Sequence, residues 1–268
     1  KHYIKGLNQG ALPGEAYSEA GRDIEEGLEM AKMLEAAGFD ALHVDAGCYD
    51  SWYWPHPPNY QCHGCMVDMA EEVKKTVKIP VIAVGRLEKP ELAEKVLRNG
   101  KADMIALGRG LLSDPFWVRK VENGRPEEIR PCIGCSDGCL GRIFSGKPLS
   151  CSVNPSVGRE RAYILQRTNN PKKILIVGAG IAGLEAARTA ALRGSQVVLC
   201  EQSGVLGGHA IPAGVPPFKE DLKRLLVWYE SQIRHSEVDL RLECVVTADL
   251  VRDENADRVI IATGAEPI

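Results

Sequence analysis

No stretch of this 268-residue chain is long and apolar enough to cross a membrane as a helix. Its apolar runs, such as Ile174–Val177 and Val259–Ala262, are strand-sized, far below the roughly 20 residues a bilayer requires. The first residues, KHYIKGLNQG, lack the apolar segment of a secretory signal. Basic excess is missing too: a net charge of −3 offers no field for nucleic acid or an anionic membrane. There is no internal repeat and no low-complexity tract. What remains is a globular composition, 44% hydrophobic and 26% charged, long enough for two domains. An initiator Met is absent, and the final IATGAEPI stops just after a strand. Both ends read as cuts through a longer protein.

Cysteine is plentiful, with nine residues. An odd number cannot be fully paired within the chain, and four fall in one tight group. A metal site in a reducing, cytoplasmic setting fits better than disulfides. Cys132, Cys135 and Cys139 lie within eight residues, and Cys151 is remote. Four thiolates suit zinc or an iron–sulfur cluster. Structural zinc usually uses two C-x2-C knuckles. The three-plus-one layout, with Gly134, Gly138 and Gly141 between, favours a cuboidal cluster whose sulfurs accept backbone N–H groups. Zinc stays open on spacing alone. Cys62 and Cys65 form half a knuckle with no second half. Cys48, Cys200 and Cys244 sit beside or inside apolar strands and read as packed thiols.

Strand and helix alternate at short intervals, which predicts parallel sheet. Ile24, Leu28, Ala31 and Leu34 mark an amphipathic helix over 23–37, stopped by Gly38. A strand over 41–46 leads into an aromatic loop whose prolines forbid regular structure. Helices are expected at 66–77, 90–98 and 114–123, and strands at 79–84 and 102–107. After a polar linker the rhythm restarts, with strands at 174–177, 196–200, 238–242 and 258–262 and helices at 181–193 and 218–234.

The strands at 79–84 and 102–107 both run into Gly-Arg: Gly85–Arg86 and Gly108–Arg109. In a (β/α)8 barrel the last two strand ends commonly build a phosphate site. Glycine lets the backbone approach the anion, and arginine supplies a charged fork. Gly178-x-Gly180-x-x-Gly183 follows a strand and opens a helix, and Glu201 ends the next strand. That is the full context of a dinucleotide fingerprint: pyrophosphate on the helix N-terminus, acid on the ribose. Gly204, Gly207 and Gly208 follow the acid, and Ala262-Thr263-Gly264 ends a later strand before Pro267. These additions resemble the two-dinucleotide-binding flavoproteins, in which the first such motif holds FAD.

The order Gly-Arg, Gly-Arg, CIGCSDGC…C, VNP, VGAGIAG, ATG resembles the old-yellow-enzyme-related iron–sulfur flavoenzymes, the family of 2-enoate reductase, 2,4-dienoyl-CoA reductase, bile-acid enone reductases and trimethylamine dehydrogenase. The similarity covers essentially the whole chain. It implies the C-terminal part of an FMN-binding (β/α)8 barrel over 1–130, a 4Fe–4S loop and linker over 131–170, and an incomplete FAD-binding Rossmann-type domain over 171–268. It assigns the FMN phosphate to Gly85, Arg86, Gly108 and Arg109, a 4Fe–4S cluster to Cys132, Cys135, Cys139 and Cys151, and FAD to Gly178, Gly180, Gly183, Glu201 and Gly208. It implies electrons passing from NAD(P)H to FAD, then the cluster, then FMN, and on to the activated C=C bond of an unsaturated acid, enone or acyl-CoA.

The loop DAGCYDSWYWPHPPNYQ most resembles the 2-enoate reductases. It belongs at the barrel's C-terminal, active face. Asp50 falls where dienoyl-CoA reductases place a substrate-contacting histidine. Tyr49, Asp50 and His56 are therefore the candidate catalytic residues, with Trp52 and Trp54 as walls. His43 reads as a packed strand residue. An amine dehydrogenase of the trimethylamine type is the alternative, with Trp52, Tyr53 and Trp54 as a bowl for a cation. A non-catalytic electron-transfer segment is a further one. Roughly five barrel strands, the family's Tyr proton donor and the nicotinamide domain have no counterpart here. The isolated chain is accordingly expected to be inactive and poorly soluble. A homo-oligomer is compatible with the family.

Overall fold

The structure, a computed structural model, describes residues 22–265, except for the side chain of Asp50. The first 21 residues of the expected barrel segment, and Pro267, lie outside the described residues. The chain divides into two compact units. One runs to Pro126 and adds Gly134–Ser152; the other joins Glu127–Ile133 to the chain from Val153 onward. Among the described residues no helix is long and apolar enough to cross a membrane.

The first unit is built on three parallel strands in sequential order, β1 (Leu42–Val44), β2 (Val81–Ala83) and β3 (Met104–Ile105). Helix α1 (Ile24–Ala36) precedes β1, α2 (Val67–Thr76) joins β1 to β2, and α3 (Pro90–Arg98) joins β2 to β3. Sequential parallel neighbours require a crossover between them, and these helices supply it. Asp23 caps α1 by accepting from the Glu26 amide at 2.9 Å. At the other end of α1, Glu35 accepts from the amides of Lys78 and Ile79, so the helix is stapled to the chain entering β2. Leu42, Val44, Val81 and Ala83 pack with Ala31, Val67, Ala70 and Val73. Because strand side chains alternate, His43 then faces away from the helices, in register with Ile82 and, one strand on, Met104. His43 is exposed, not packed as expected: it lies on the face that in a barrel points to the interior.

The strands are shorter than their apolar runs. β3 pairs only with β2, and only two of its residues enter the ladder. Beyond it come α4 (Arg109–Ser113), which was not expected, and α5 (Trp117–Glu122), inside the helix expected over 114–123. Pro115 cannot donate an amide hydrogen bond, so the helical path breaks around it. The prolines of the aromatic loop also leave room for a 3-10 turn, Tyr49–Ser51, ahead of Pro55. In 134–152 the chain makes a π-type turn, Asp137–Gly141, and a single helical turn, α6 (Arg142–Phe144).

The second unit carries a four-stranded parallel sheet in the order β6-β5-β4-β7: β4 (Lys173–Val177), β5 (Gln196–Cys200), β6 (Val238–Arg241) and β7 (Arg258–Ile261). The order reverses beside the first strand, which is where doubly wound sheets bind nucleotides. Helix α7 (Ile181–Leu192) follows β4, and a short α8 (Ala210–Ala213) and α9 (Glu220–Arg234) follow β5. A further helix, α10 (Ala248–Glu254), was not expected; Thr247 caps it by accepting from the Leu250 amide. Cys200 packs with Leu175 and Val198.

Candidate functional site

In the first unit both Gly-Arg pairs sit where β2 and β3 run out. Gly85 has φ +114°, a region closed to most side chains, and a Cβ there would stand 3.0–3.3 Å from Met66. Arg86 also has positive φ, at 52°, and is 7% exposed. Its Nη1 donates to the carbonyls of Pro58 at 3.1 Å and Asn59 at 3.0 Å, and also to that of Gln61. Its Nη2 lies 3.2 Å from His63 Nε2. Arg109 donates to Pro57 O at 2.5 Å and to Ser136 Oγ at 2.9 Å. Both guanidinium groups thus grip the Pro-rich end of the aromatic loop, and a phosphate here would meet the backbone of these strand ends first.

The loop they hold is folded tightly. Gly47 has φ +90°, and a Cβ on it would meet Pro55 and Trp54. Ser51, fully buried, accepts from the Cys48 amide at 3.0 Å. Trp52 lies parallel to His56 at 5.0 Å and edge-on to Tyr49 at 5.2 Å and Phe144 at 4.9 Å. So two of the three candidate catalytic residues, Tyr49 and His56, flank one indole. Asp50 stands in the turn between Tyr49 and Ser51. Phe144, from the cysteine segment, is a part of this surface that composition gave no reason to choose.

In the cysteine segment, Cys135, Cys139 and Cys151 belong to the first unit, while Cys132 lies on the Glu127–Ile133 segment of the second. The remote Cys151 is brought against the π-type turn. A Cβ on Gly138 would lie 2.9 Å from Ser152 N and 3.1 Å from Cys151 Cα, so only glycine fits. The Ser150 amide and hydroxyl both donate to Gly138 O at 2.9 Å, and Cys135 Sγ lies 3.4 Å from Ser152 Oγ. A polar cavity of about 640 Å³ opens beside Cys151, with Arg142 and Lys147 in its wall. Among the described residues, Cys135, Cys139 and Cys151 do not gather their sulfurs within 4.8 Å of one another. Thiolates on one zinc, at about 2.3 Å each, would stand only about 3.8 Å apart. The Gly-rich turn, with Arg142 and Lys147 as well as Asp137 in the cavity wall, leaves room for a group larger than one ion beside Cys151. Elsewhere, burial and the neighbouring Cys62 push the Cys65 thiol up to about 11, and burial with a hydrogen bond to Cys244 pushes Cys200 to about 12. Such thiols stay protonated and inert.

In the second unit three backbone segments meet at the N-terminus of α7. A Cβ on Gly178 (φ +99°) would lie 2.5 Å from Ala262 O, and one on Gly183 would strike Gly178 O. Gly180 caps the helix and has open space where its Cβ would be. Gly207 bridges to Gly180, and its amide donates to Ala179 O at 2.9 Å; a Cβ on Gly208, at φ +51°, would stand 3.1 Å from Gly180 Cα. Glu201 Oε2 accepts from the Ala179 amide at 2.7 Å, and Oε1 accepts from the Ser203 amide and hydroxyl. Burial opposes its ionisation, yet these donors hold the carboxyl below the usual glutamate range. Oε2 keeps a free lone pair for a ribose hydroxyl. A cleft of backbone amides at a helix start, roofed by glycines and edged by an ionised acid, fits a dinucleotide pyrophosphate.

Comparison with known proteins agrees with this division. Residues 13–128 match the NADH:flavin oxidoreductase / NADH oxidase family, and residues 173–247 match FAD dependent oxidoreductases. Cinnamate reductase from Clostridium sporogenes is 47% identical over 267 residues, 100% of this chain and 40% of that protein. The solved complex of 2-naphthoyl-CoA reductase with 2-naphthoyl-CoA superposes with a TM-score of 0.90 at 33% identity, over 99% of this chain and 39% of that one. Histamine dehydrogenase from Rhizobium sp. 4-9 superposes with a TM-score of 0.84 at 27% identity, over 98% of this chain and 38% of that one. The chain thus spans about 40% of the length of the relatives it matches.

Proposed function

Since the chain belongs to the NADH:flavin oxidoreductase / NADH oxidase family and continues into an FAD dependent oxidoreductase segment, we propose that it is part of an NAD(P)H-dependent ene-reductase. Its substrate is an α,β-unsaturated acid or thioester bearing an aromatic group. The carrying observation is the loop at the end of β1. Arg86 and Arg109 clamp it from the strand ends, and it presents Tyr49, Trp52 and His56 as a ringed surface. An aryl substituent packs favourably on such a surface, and cinnamate reductase is a 47% identical relative.

Gly85, Arg86, Gly108 and Arg109 would hold the FMN phosphate, Gly178, Gly180, Gly183, Glu201 and Gly208 would hold FAD, and Cys132, Cys135, Cys139 and Cys151 would hold a 4Fe–4S cluster. When bound, these groups supply electron passage from NAD(P)H and hydride delivery to the activated C=C bond. The chain's own part is to orient the substrate and keep water from it through Trp52 and its neighbours, and to hold a proton at Tyr49, Asp50 or His56. The ranges 1–130, 131–170 and 171–268 remain the functional segments of this reading.

The test is the full-length protein with cinnamate and NADH under argon. NADH oxidation that depends on the unsaturated acid is expected; its absence across cinnamates and enones overturns the substrate assignment. Likeness to histamine dehydrogenase favours a second reading, an amine dehydrogenase. One face of Trp52 is covered by His56, however, and a cation cage needs open ring faces. Amine-dependent reduction of a dye would decide for that reading.

A further inference from the structure

The segment that leads into Cys132 is anchored by one buried arginine. Arg130 is 6% exposed, and its Nη1 donates to Val153 O at 2.6 Å. Its Nη2 faces the Glu185 carboxylate at 3.4–3.5 Å, and its guanidinium carbon stands 4.6 Å from the centre of the Trp228 ring. Arg188 binds the same carboxylate at 2.7 and 3.0 Å and the same indole at 5.6 Å, and the Tyr229 hydroxyl donates to it at 3.1 Å. The Trp228 Nε1–H donates to Glu128 O at 2.8 Å, a second tie to the same segment. Glu185 lies on α7, the helix that opens the dinucleotide cleft. Burial works against its charge, but Arg188 and Arg130 outweigh that and hold its carboxyl below the usual range. Burial, with the Glu185 charge, pushes the Tyr229 phenol up, so it stays neutral.

We propose that Arg130 is a positioning residue for the cysteine-bound cluster: it pins the Cys132 end of the loop to α7, and its buried charge raises the cluster's reduction potential. The inference rests on the cluster reading above. A cluster gains negative charge on reduction, so a nearby desolvated cation favours the reduced form, whereas a merely structural tie has no such sign.

The experiment uses full-length protein prepared anaerobically, with iron and acid-labile sulfide counted and the midpoint potential read by redox titration of the reduced cluster's electron-spin signal. Arg130→Gln is expected to lower the midpoint and lose part of the iron, and Arg130→Lys to bring the midpoint back toward the parent value. Glu185→Gln keeps Arg130 and its bond to Val153 and removes the anion, so it is expected to shift the midpoint upward. That variant decides if Arg130→Gln fails to take up iron. Glutamine variants that hold iron and titrate at the parent potential, or shift in the same direction, overturn the proposal. A parent protein that carries zinc or no iron overturns the cluster reading beneath it.

Discussion

At Gly183 a single hydrogen atom is all the space allows. A methyl group there would strike Gly178 O, and one at Gly178 would strike Ala262 O. Gly183→Ala is therefore expected to force the loop off α7 and to abolish FAD retention, with FMN content unchanged. Counting both flavins released from the purified full-length variant checks this. Trp52 makes the opposite kind of prediction. It is 36% exposed, and its rings of contact are on the surface. Trp52→Ala should leave both flavins bound and raise KM for an aryl substrate about tenfold, as expected for losing one aromatic contact of about 1–1.5 kcal/mol, with little change for a short aliphatic enoate. Steady-state kinetics on the two substrates tests it. The glycines and the cysteines were legible in the sequence because spacing alone implies a backbone shape. The grip of Arg86 on Asn59 and Pro58 was not. Sequence spacing carries no mark of which backbone carbonyls a guanidinium will reach.

Among the elements, the loop after β1 depends on that grip. Arg86→Met would leave several loop carbonyls without their charged donor, at a cost of about 3 kcal/mol, since hydrogen bonds to a charged group each contribute about 1.5–3 kcal/mol. Denaturant unfolding followed by tryptophan emission should show the midpoint fall. Helix α7 makes a prediction about acid. Glu185 and Glu201 both have folded-state values below the usual 4.5. A depressed carboxylate stabilises the fold above its unfolded-state value, and that contribution is lost as pH falls through the folded-state value. Stability should thus hold above about pH 5 and drop below pH 4.5, and Glu185→Gln should flatten the drop; melting curves between pH 3 and 6 measure it. Elements were the most readable scale. Every expected strand exists, three residues shorter than expected at β1 and β2 and four shorter at β3, which pairs on one side alone. The α4 and α10 helices were missed, because short helices carry too few apolar residues to show a period.

On the scale of the whole molecule, the described residues include one hydrophobic cluster around Val44 and Val81 and another around Leu175 and Val198. Each proposed flavin would bind at the strand ends above one of them. Added FAD should raise only the transition that reports the second core, and added FMN only the first, by about 2.7 kcal/mol when free flavin is a hundredfold above its Kd. Calorimetry with each flavin in turn would show a single shared shift if this is wrong. Both parallel sheets were legible in the alternation of strand and helix along the sequence, because parallel neighbours need a helix-length crossover between them. Which cysteine belongs to which unit did not follow, because chain neighbours such as Cys132 and Cys135 can serve different bodies.

The central place of β4 has a temporal side. β5 joins it early, but its other neighbour, β7, is the last strand of the chain described, and the Lys173 amide finds Asp257 84 residues later. Gly178 takes its shape against Ala262, which lies just past β7. As the chain leaves the ribosome, then, the glycine turn is synthesised long before the carbonyl that closes on it. For that interval β4 is an open edge, and the cleft for the nucleotide does not yet exist. Capture of the dinucleotide becomes a late event of biosynthesis, timed by the arrival of a distant strand rather than by the motif itself.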